Sequence, residues 1–450
     1  MSERIHNQIW PASGLTPAEE HAAFIVQTLR EHGHEAYVVG GAVRDRLLGR
    51  APNDVDVATG ATPKQVQKLF RRNVAVGAAF GVIVVVGEEV QTEVATFRID
   101  GGYVDGRRPE GVTFADARED AKRRDFTINA LFYDPVSHEI VDFIGGLTDL
   151  KKGIIRTVGD ASRRFEEDYL RMLRAVRFSA RFQFPLDSAA ESAIQEFSGS
   201  ITQISAERIF SELDKMLTGA QPAEAFELLD RLGLLEEILP ELTCMHGVTQ
   251  PPEYHPEGDV WVHNMLLLRN MVHPCSALAW GVLLHDVGKP PTFEIGSHGR
   301  ETFPCHAAVG ADMAEDILKR LKASNEHIRQ VRELVYYHMS FADVKKMRKA
   351  TLRRMFGRDT FELELDLHRI DCLACHGILD NYVFCLDELA ALANEPPVPE
   401  PLLRGGDAMA LGIAPGPRIG ELLRKAQDLQ LDGALTSREQ ALEWLEEQLR

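Results

Sequence analysis

Cysteine is scarce in this 450-residue sequence: six residues, all in the second half and irregularly spaced. No apolar signal-like segment opens the chain, so the thiols read as reduced, in a cytoplasmic protein without a disulfide framework. Long hydrophobic runs are also lacking. The longest, near Leu278 to Leu284, is too short to cross a bilayer, which implies a soluble chain with no membrane partner. Positive charge is in deficit: the formal net charge of −18 excludes a surface built for indiscriminate nucleic-acid binding and leaves RNA only local basic patches. What the chain does have is length, enough for about three cores of ordinary size.

One stretch organises the sequence: Tyr37 to Ala58, YVVGGAVRDRLLGRAPNDVDVA. Ala36 to Val39 reads as a short buried strand, Gly40-Gly41 as a turn that lets backbone amides approach a ligand, and Ala42 to Leu48 as a helix. The helix N-terminus aims unpaired N–H groups at the turn, a ready place for a triphosphate, with Arg44 one turn inside. Alternation along Asp54-Val55-Asp56-Val57 places two valines on one face of a strand and two carboxylates on the other. Such carboxylates repel each other unless a cation lies between them, and oxygen ligands of this kind suit Mg²⁺ bridging to phosphates. A β-hairpin is expected over Phe80 to Val86 and Glu89 to Arg98. Its Glu93 is either a third acid on the same face or a strand carboxylate facing water.

The segment GGAVRDRLLGRAPNDVDVA resembles the signature of the tRNA nucleotidyltransferase and bacterial poly(A) polymerase family, class II of the polymerase-β-like nucleotidyltransferases. Arg123 to Leu131 (RRDFTINAL), Arg163 to Phe178 (RRFEEDYLRMLRAVRF) and Ala206 to Leu213 (AERIFSEL) continue the resemblance in the family's order. It implies an α+β fold, a small head with a mixed β-sheet followed by an all-α neck and body. It also implies that Asp54 and Asp56 are catalytic and hold Mg²⁺, with Gly40, Gly41, Arg44 and Asp45 at the nucleotide. Arg123 to Asn129 is expected to start a helix, with Arg124 on phosphates beside Asn129 and Asp125 accepting from the ribose 2′-OH, a position the family associates with ribose selection.

Phe165, Tyr169, Met172, Leu173, Val176 and Ala180 recur at helical spacing, so Asp168 and Arg171 should project together from another face. A carboxylate that only accepts and a guanidinium that only donates complement a base edge with an amino donor beside a ring-nitrogen acceptor, as in cytosine and adenine. Uracil and guanine mismatch that edge. The pair matches the family's EDxxR motif, here Glu167, Asp168 and Arg171, and implies CTP and ATP as substrates. Arg174, Arg177 and Arg181 extend a basic row toward either the RNA backbone or structural carboxylates. Arg98 to Phe114 reads as a mobile loop and resembles one that CCA-adding and A-adding members carry and CC-adding members lack.

From Pro251 the composition shifts toward histidine and aspartate. HNMLLLRNM and LAWGVLLHDVGKP resemble the HD superfamily of metal-dependent phosphohydrolases. The resemblance implies a divalent-metal site at His263, His285, Asp286 and Asp371, with His306 and His338 as an extended set. Cys372-Leu-Ala-Cys375-His376 has the spacing of a haem attachment site, but core packing of both thiols is the reading adopted. Glu395 to Pro401 reads as an extended linker before a helical tail. The expected domains are 1–150 (head), 151–250 (neck and body), 251–395 (HD) and 396–450 (tail). The expected reaction is addition of CMP and AMP to the tRNA 3′ end. An A-adding enzyme, a poly(A) polymerase, or a nucleotide phosphohydrolase centred on the HD half are the alternatives.

Overall fold

Short runs of β-branched and aromatic residues build the sheet in the first of two units, Met1–Pro240 and Glu241–Arg450. The architecture is that of a computed structural model, which describes all residues except 1–2, 7–8, 11–13, 53, 78–80, 101–111, 254, 257, 297–298, 394 and 450. The strands are β1 (Glu3–His6), β2 (Ala36–Val39), β3 (Asp56–Thr59), β4 (Asn73–Gly77), β5 (Val82–Val86), β6 (Gln91–Thr96), β7 (Arg98–Asp100), β8 (Val112–Phe114), β9 (Leu131–Asp134) and β10 (Glu139–Asp142). Among the described residues eight of them form one sheet in the order β1-β10-β9-β2-β3-β6-β5-β4. The β3–β6 pair is parallel and its neighbours are antiparallel, which makes the sheet mixed. The hairpin expected from alternation is β5–β6. The ends of the expected loop at Arg98 to Phe114 pair as a small ladder, β7 with β8, while Arg107 and Arg108 lie outside the described residues.

Local chemistry sets the first helices: α1 (Pro17–Glu31), α2 (Gly41–Leu47), α3 (Pro63–Leu69), α4 (Ala117–Lys122) and α5 (Gly146–Lys152). Thr16 and Glu19 form a capping box at the start of α1, and Thr62 with Gln65 repeats the device at α3. Glu19 is fully buried, and both its oxygens take Arg46 of α2 at 2.6 Å, tying the two helices together. Tyr37, Phe97 and Phe132 pack at centroid distances of 5.8 to 6.4 Å in the core beneath the sheet. The segment RRDFTINAL does not continue as a helix. A single 3₁₀ turn, Thr127–Asn129, leads into β9, because Leu131, Phe132 and Tyr133 are buried on both faces of a central strand.

A second difference lies in the helical body, α6 (Ala161–Glu167), α7 (Leu170–Phe182), α8 (Ser188–Phe197), α9 (Ala206–Leu217), α10 (Pro222–Arg231) and α11 (Leu234–Ile238). The apolar stripe from Phe165 to Ala180 is not carried by one helix. Asp168 is extended (φ −160°, ψ 101°), and its carboxylate accepts the Leu170 N–H at 3.1 Å, restarting the helix after a break. The basic row on α7 meets structural carboxylates. Arg174 Nη2 lies 2.7 Å from Asp125, Arg177 Nε 2.6 Å from Glu212, and Arg181 Nη2 3.0 Å from Asp45.

The second unit is helical: α12 (Pro240–Thr243) at its boundary, then α13 (Val260–Asn270), α14 (Ser276–Leu284), α15 (His306–Arg320), α16 (Asn325–Tyr337), α17 (Lys349–Phe356), α18 (Phe361–Ala374) and α19 (Asp380–Ala391). The tail helices α20 (Gly405–Ala410), α21 (Pro417–Leu431) and α22 (Arg438–Glu447) enclose an apolar cluster of their own, with Leu403, Leu422 and Leu445. The proline-rich linker is strapped down: Arg353 donates to the carbonyls of Pro396 and Pro397 at 3.0 and 2.8 Å. Among the described residues no helix is long and apolar enough to cross a membrane.

Two measurements test this account. Gly40 turns β2 into α2 with φ +72°, and a Cβ there would stand 3.1 Å from Arg124 Nη1. Gly40→Ala is therefore expected to destabilise the unit by about 1–3 kcal/mol in urea unfolding. Gly41→Ala, at ordinary helical φ with its nearest neighbour at 3.4 Å, should change stability far less. Asp125 supplies the second test. Burial acts to raise its pKa, but Arg174, Asn129 and the Phe126 N–H override that and bring it down from 3.8 to about 2. A depressed carboxyl contributes stability in full above its unfolded value, here worth about 2 kcal/mol, and loses it as pH falls toward its folded value. The stability difference between wild type and Asp125→Asn should thus stay level above pH ~4 and shrink as pH falls from ~4 to ~2.

Candidate active site and metal centre

In the first unit the strand β2 ends at Gly40, and α2 begins directly with its amides at the open side of the turn. Arg124 is brought to this turn by the buried Asp120, whose Oδ2 lies 3.1 Å from Arg124 Nη2, and by a bond from Arg124 Nη1 to the Asn129 carbonyl at 3.2 Å. Sequence reasoning missed Asp120, although its spacing of three and four residues before Arg123 and Arg124 is the signal for such pairing. Arg44 does not lie open to a phosphate as expected. It is 3% exposed, donates to Asp45 Oδ1 at 2.8 Å and to Asn129 Oδ1, and rests against Phe178 and Phe182. It supports the turn from beneath. Asp45 is likewise committed, between Arg44 and Arg181.

Asp54 and Asp56 point to solvent while Val55 and Val57 are buried, the alternation read from sequence, with Asp54 just ahead of β3. The parallel register of Val57 with Val94 carries Asp56 and Glu93, each one residue earlier, side by side. Although accessible, Asp56 lies deep among protein atoms. That desolvation, with the charges of Glu93 and Asp54, pushes its carboxyl up to about 6, against the pull of Arg124. The negative charge that Glu93 and Asp54 add around Asp56 is what a divalent cation would offset, so the residues fit a metal.

Asp125 accepts from the Phe126 N–H and Asn129 Nδ2 on one oxygen and from Arg174 Nε and Nη2 on the other. All four acceptor positions are engaged, so a ribose hydroxyl has to displace one of these donors. Asp168 and Arg171 are not paired with each other. Arg208 Nη2 holds Asp168 Oδ2 at 2.7 Å, and Arg171 donates to Glu167 and, at 2.8 Å, to the Arg164 carbonyl. Each is oriented by a third residue and keeps hydrogen-bonding capacity for a base edge.

In the second unit His263 from α13, His285 and Asp286 after α14, His306 from α15, His338 after α16 and Asp371 from α18 converge. Asp286 stands at the middle. Its Oδ2 lies 3.2 Å from His285 Nε2 and 3.7 Å from His263 Nε2, and its Oδ1 lies 3.7 Å from Nε2 of both His306 and His338. His263 Nε2 is 3.3 Å from Asp371 Oδ1. His285, His306 and His338 donate Nδ1–H to the carbonyls of Val282, Phe303 and Val335, which turns each Nε2 lone pair inward. Burial lowers His306 and pushes His338 down to about 3, so both are neutral donors of a lone pair at physiological pH. Burial tends to raise Asp286, but His285 and Lys289 hold it well below the usual carboxylate range. The Nε2 atoms of His306 and His338 stand 3.2 Å apart and those of His263 and His285 3.3 Å apart, with the Asp286 carboxylate beside both pairs, a donor set that would hold divalent metal.

Lys289, 2.6 Å from Asp286 Oδ2 and one helical turn after it in sequence, was missed. The site opens on a cavity of ≈ 600 Å³ lined by His306, His338, Lys289, Phe303 and Asp371. Cys372 is buried, in keeping with core packing, but Cys375 is not a core residue. Its Sγ borders the same cavity, 3.4 Å from Asp371 Oδ1.

Comparison with known proteins agrees with both halves. Residues 36–156 match the family described as "Poly A polymerase head domain", residues 183–245 "Probable RNA and SrmB- binding site of polymerase A", and residues 275–374 "HD domain". The CCA-adding enzyme of Geobacillus kaustophilus is 48% identical over 221 residues, 49% of this chain and 54% of that protein, so the chain matches about half the length of this relative. The CCA-adding enzyme of Lactobacillus johnsonii is 33% identical over 423 residues, 93% of this chain and 94% of that protein. The crystal structure of the Bacillus stearothermophilus CCA-adding enzyme in complex with CTP superposes with a TM-score of 0.75 at 30% identity, covering 97% and 98% of the two chains. With similarity running through sheet, helical body and HD region alike, the chain belongs to the nucleotidyltransferase family of the CCA-adding enzymes.

Proposed function

We propose that the protein adds CMP and AMP, from CTP and ATP, to the 3′ end of tRNA without a nucleic-acid template. The observation that carries this reading is the acidic trio of Asp54, Asp56 and Glu93, with Asp56 pushed up to about 6 beside the Gly40-Gly41 turn. Mg²⁺ held there by Asp54 and Asp56 supplies activation of the RNA 3′-OH and charge neutralisation for the departing pyrophosphate. The chain's own groups do the positioning. The amides at the start of α2 and the Arg124 guanidinium receive the triphosphate. Asp168 accepts from the exocyclic amino group of cytosine or adenine while Arg171 donates to the adjacent ring nitrogen, and UTP or GTP would leave these groups mismatched at a cost of roughly 1–3 kcal/mol each. The cytoplasm is the proposed setting, where reducing conditions suit the free thiols of Cys372 and Cys375.

The HD centre supports a second activity. With Asp286 between two histidine pairs, it is suited to metal-assisted hydrolysis of a phosphoester, and Lys289 and Lys345 at the cavity supply positive charge for a phosphate.

Two assays test these readings. With tRNA transcripts ending at the discriminator base, at C and at CC, all three should be extended to CCA, and Asp54→Ala/Asp56→Ala should abolish extension. Growth of the CC-ended transcript alone would identify an A-adding enzyme instead, and long adenosine tails a poly(A) polymerase. For the HD centre, wild type should bind divalent metal and hydrolyse 2′,3′-cyclic AMP, and His285→Ala/Asp286→Ala should do neither. Equal rates in the two proteins would remove the phosphohydrolase reading.

A further inference from the structure

The Cys375 thiol lies outside the group of side chains around Asp286, yet it is surrounded by ligand-type atoms. Its Sγ is 3.6 Å from His255 Nδ1, 3.6 Å from His263 Nδ1 and 3.4 Å from Asp371 Oδ1. Zinc bonds of ≈ 2.3 Å to sulfur and 2.0–2.1 Å to nitrogen, at a tetrahedral angle, put sulfur and nitrogen ligands about 3.6 Å apart. Both sulfur–nitrogen separations here match that tetrahedral edge, and the ligand atoms of His255, His263 and Cys375 all lie within 4.8 Å of one another. The spacing is that of a coordination shell.

We propose that His255 Nδ1, His263 Nδ1 and Cys375 Sγ form a separate thiolate-containing site for a soft divalent cation, of the zinc class, at the rim of the HD centre.

Three features support the assignment. Cys375 caps α18, and its N–H donates to the Asp371 carbonyl at 3.1 Å, so the helix end fixes the thiol one turn beyond Asp371 and on its side. The rings of His255 and His263 meet edge to face, with centroids 4.8 Å apart, and the nitrogens turned toward Cys375 are the Nδ1 atoms, while His263 keeps its proton on Nε2, 3.3 Å from Asp371 Oδ1. Finally, His255 and Cys375 both line the ≈ 600 Å³ cavity, which gives a cation a route in and leaves a fourth position for water. A sulfur and two imidazole nitrogens favour zinc or a similar soft ion over Mg²⁺ or Mn²⁺, and binding releases the thiol proton to solvent. The neighbouring Cys372 takes no part, because its Sγ lies against His368 instead, at 3.6 Å. The proposal does not depend on whether the HD centre hydrolyses anything.

Cobalt(II) reports sulfur ligation directly. Full-length protein titrated with Co²⁺ should develop a near-ultraviolet thiolate-to-cobalt charge-transfer band. The band should be absent in Cys375→Ser and should need at least about tenfold more Co²⁺ in His255→Ala. In the unmodified protein, alkylation of Cys375 by iodoacetamide, mapped by mass spectrometry, should be slowed by Zn²⁺ but not by Mn²⁺, a measurement independent of how the variants fold. A missing band at saturating Co²⁺, a band that persists in Cys375→Ser, or alkylation equally fast with and without Zn²⁺ would overturn the proposal.

Discussion

Pairing of arginine with carboxylate along one helix is the constraint on which the first unit depends. Four arginines project from α7, and each meets an acid supplied by a different part of the chain: Arg171 takes Glu167 of α6, Arg174 takes Asp125 ahead of β9, Arg177 takes Glu212 of α9 and Arg181 takes Asp45 of α2. Glu212 and Asp45 are buried, so removing the arginine opposite either one would leave its carboxylate with an uncompensated desolvation cost. The ladder thus fixes where α7 can sit relative to α2 and its Gly40-Gly41 turn, the segment after α4, and α9. Asp168 and Arg171, at the break between α6 and α7, inherit their positions from that arrangement.

The same reasoning separates structural charge from functional charge. Asp45, Asp120 and Asp125 each have cations of the protein's own at bonding distance. Asp56 has other carboxylates for neighbours instead, and the largest influence on it after burial is Glu93. The HD centre repeats the crowding with nitrogen: two pairs of imidazole Nε2 atoms, His263 with His285 and His306 with His338, meet beside Asp286. Unbalanced charge of one sign is costly to keep, so where a fold retains it, the balancing ion or substrate comes from outside.

Legibility in the sequence followed the range of the interaction involved. The Thr-Pro starts of α1 and α3 are local, and so is the alternation through Asp54 and Asp56, so a few adjacent residues determine them. The mixed-sheet head and helical remainder, read through family resemblance, are the observed architecture. The break at Asp168 was invisible because the apolar stripe keeps helical spacing across it. Only the Leu170 N–H and Arg208, from a helix some forty positions on, reveal what holds Asp168 out of the helix. The burial of Arg44 depends on two phenylalanines in α7, and the surroundings of Cys375 depend on a histidine 120 positions earlier. No window along the chain contains both members of such pairs.

The parallel alignment of β3 with β6 has a bearing on the shape of the chain itself. Antiparallel neighbours can be joined by a tight hairpin, whereas two strands running the same way need a crossover of about a dozen residues or more. A direct hairpin from β3 would have reversed the next strand and sent its acidic side chain elsewhere. The excursion through α3, β4 and β5 is what returns the chain in the same direction, so that an acid 37 positions downstream stands level with Asp56. Deleting that excursion would shorten the protein without touching either carboxylate, yet it would dismantle the cluster they form.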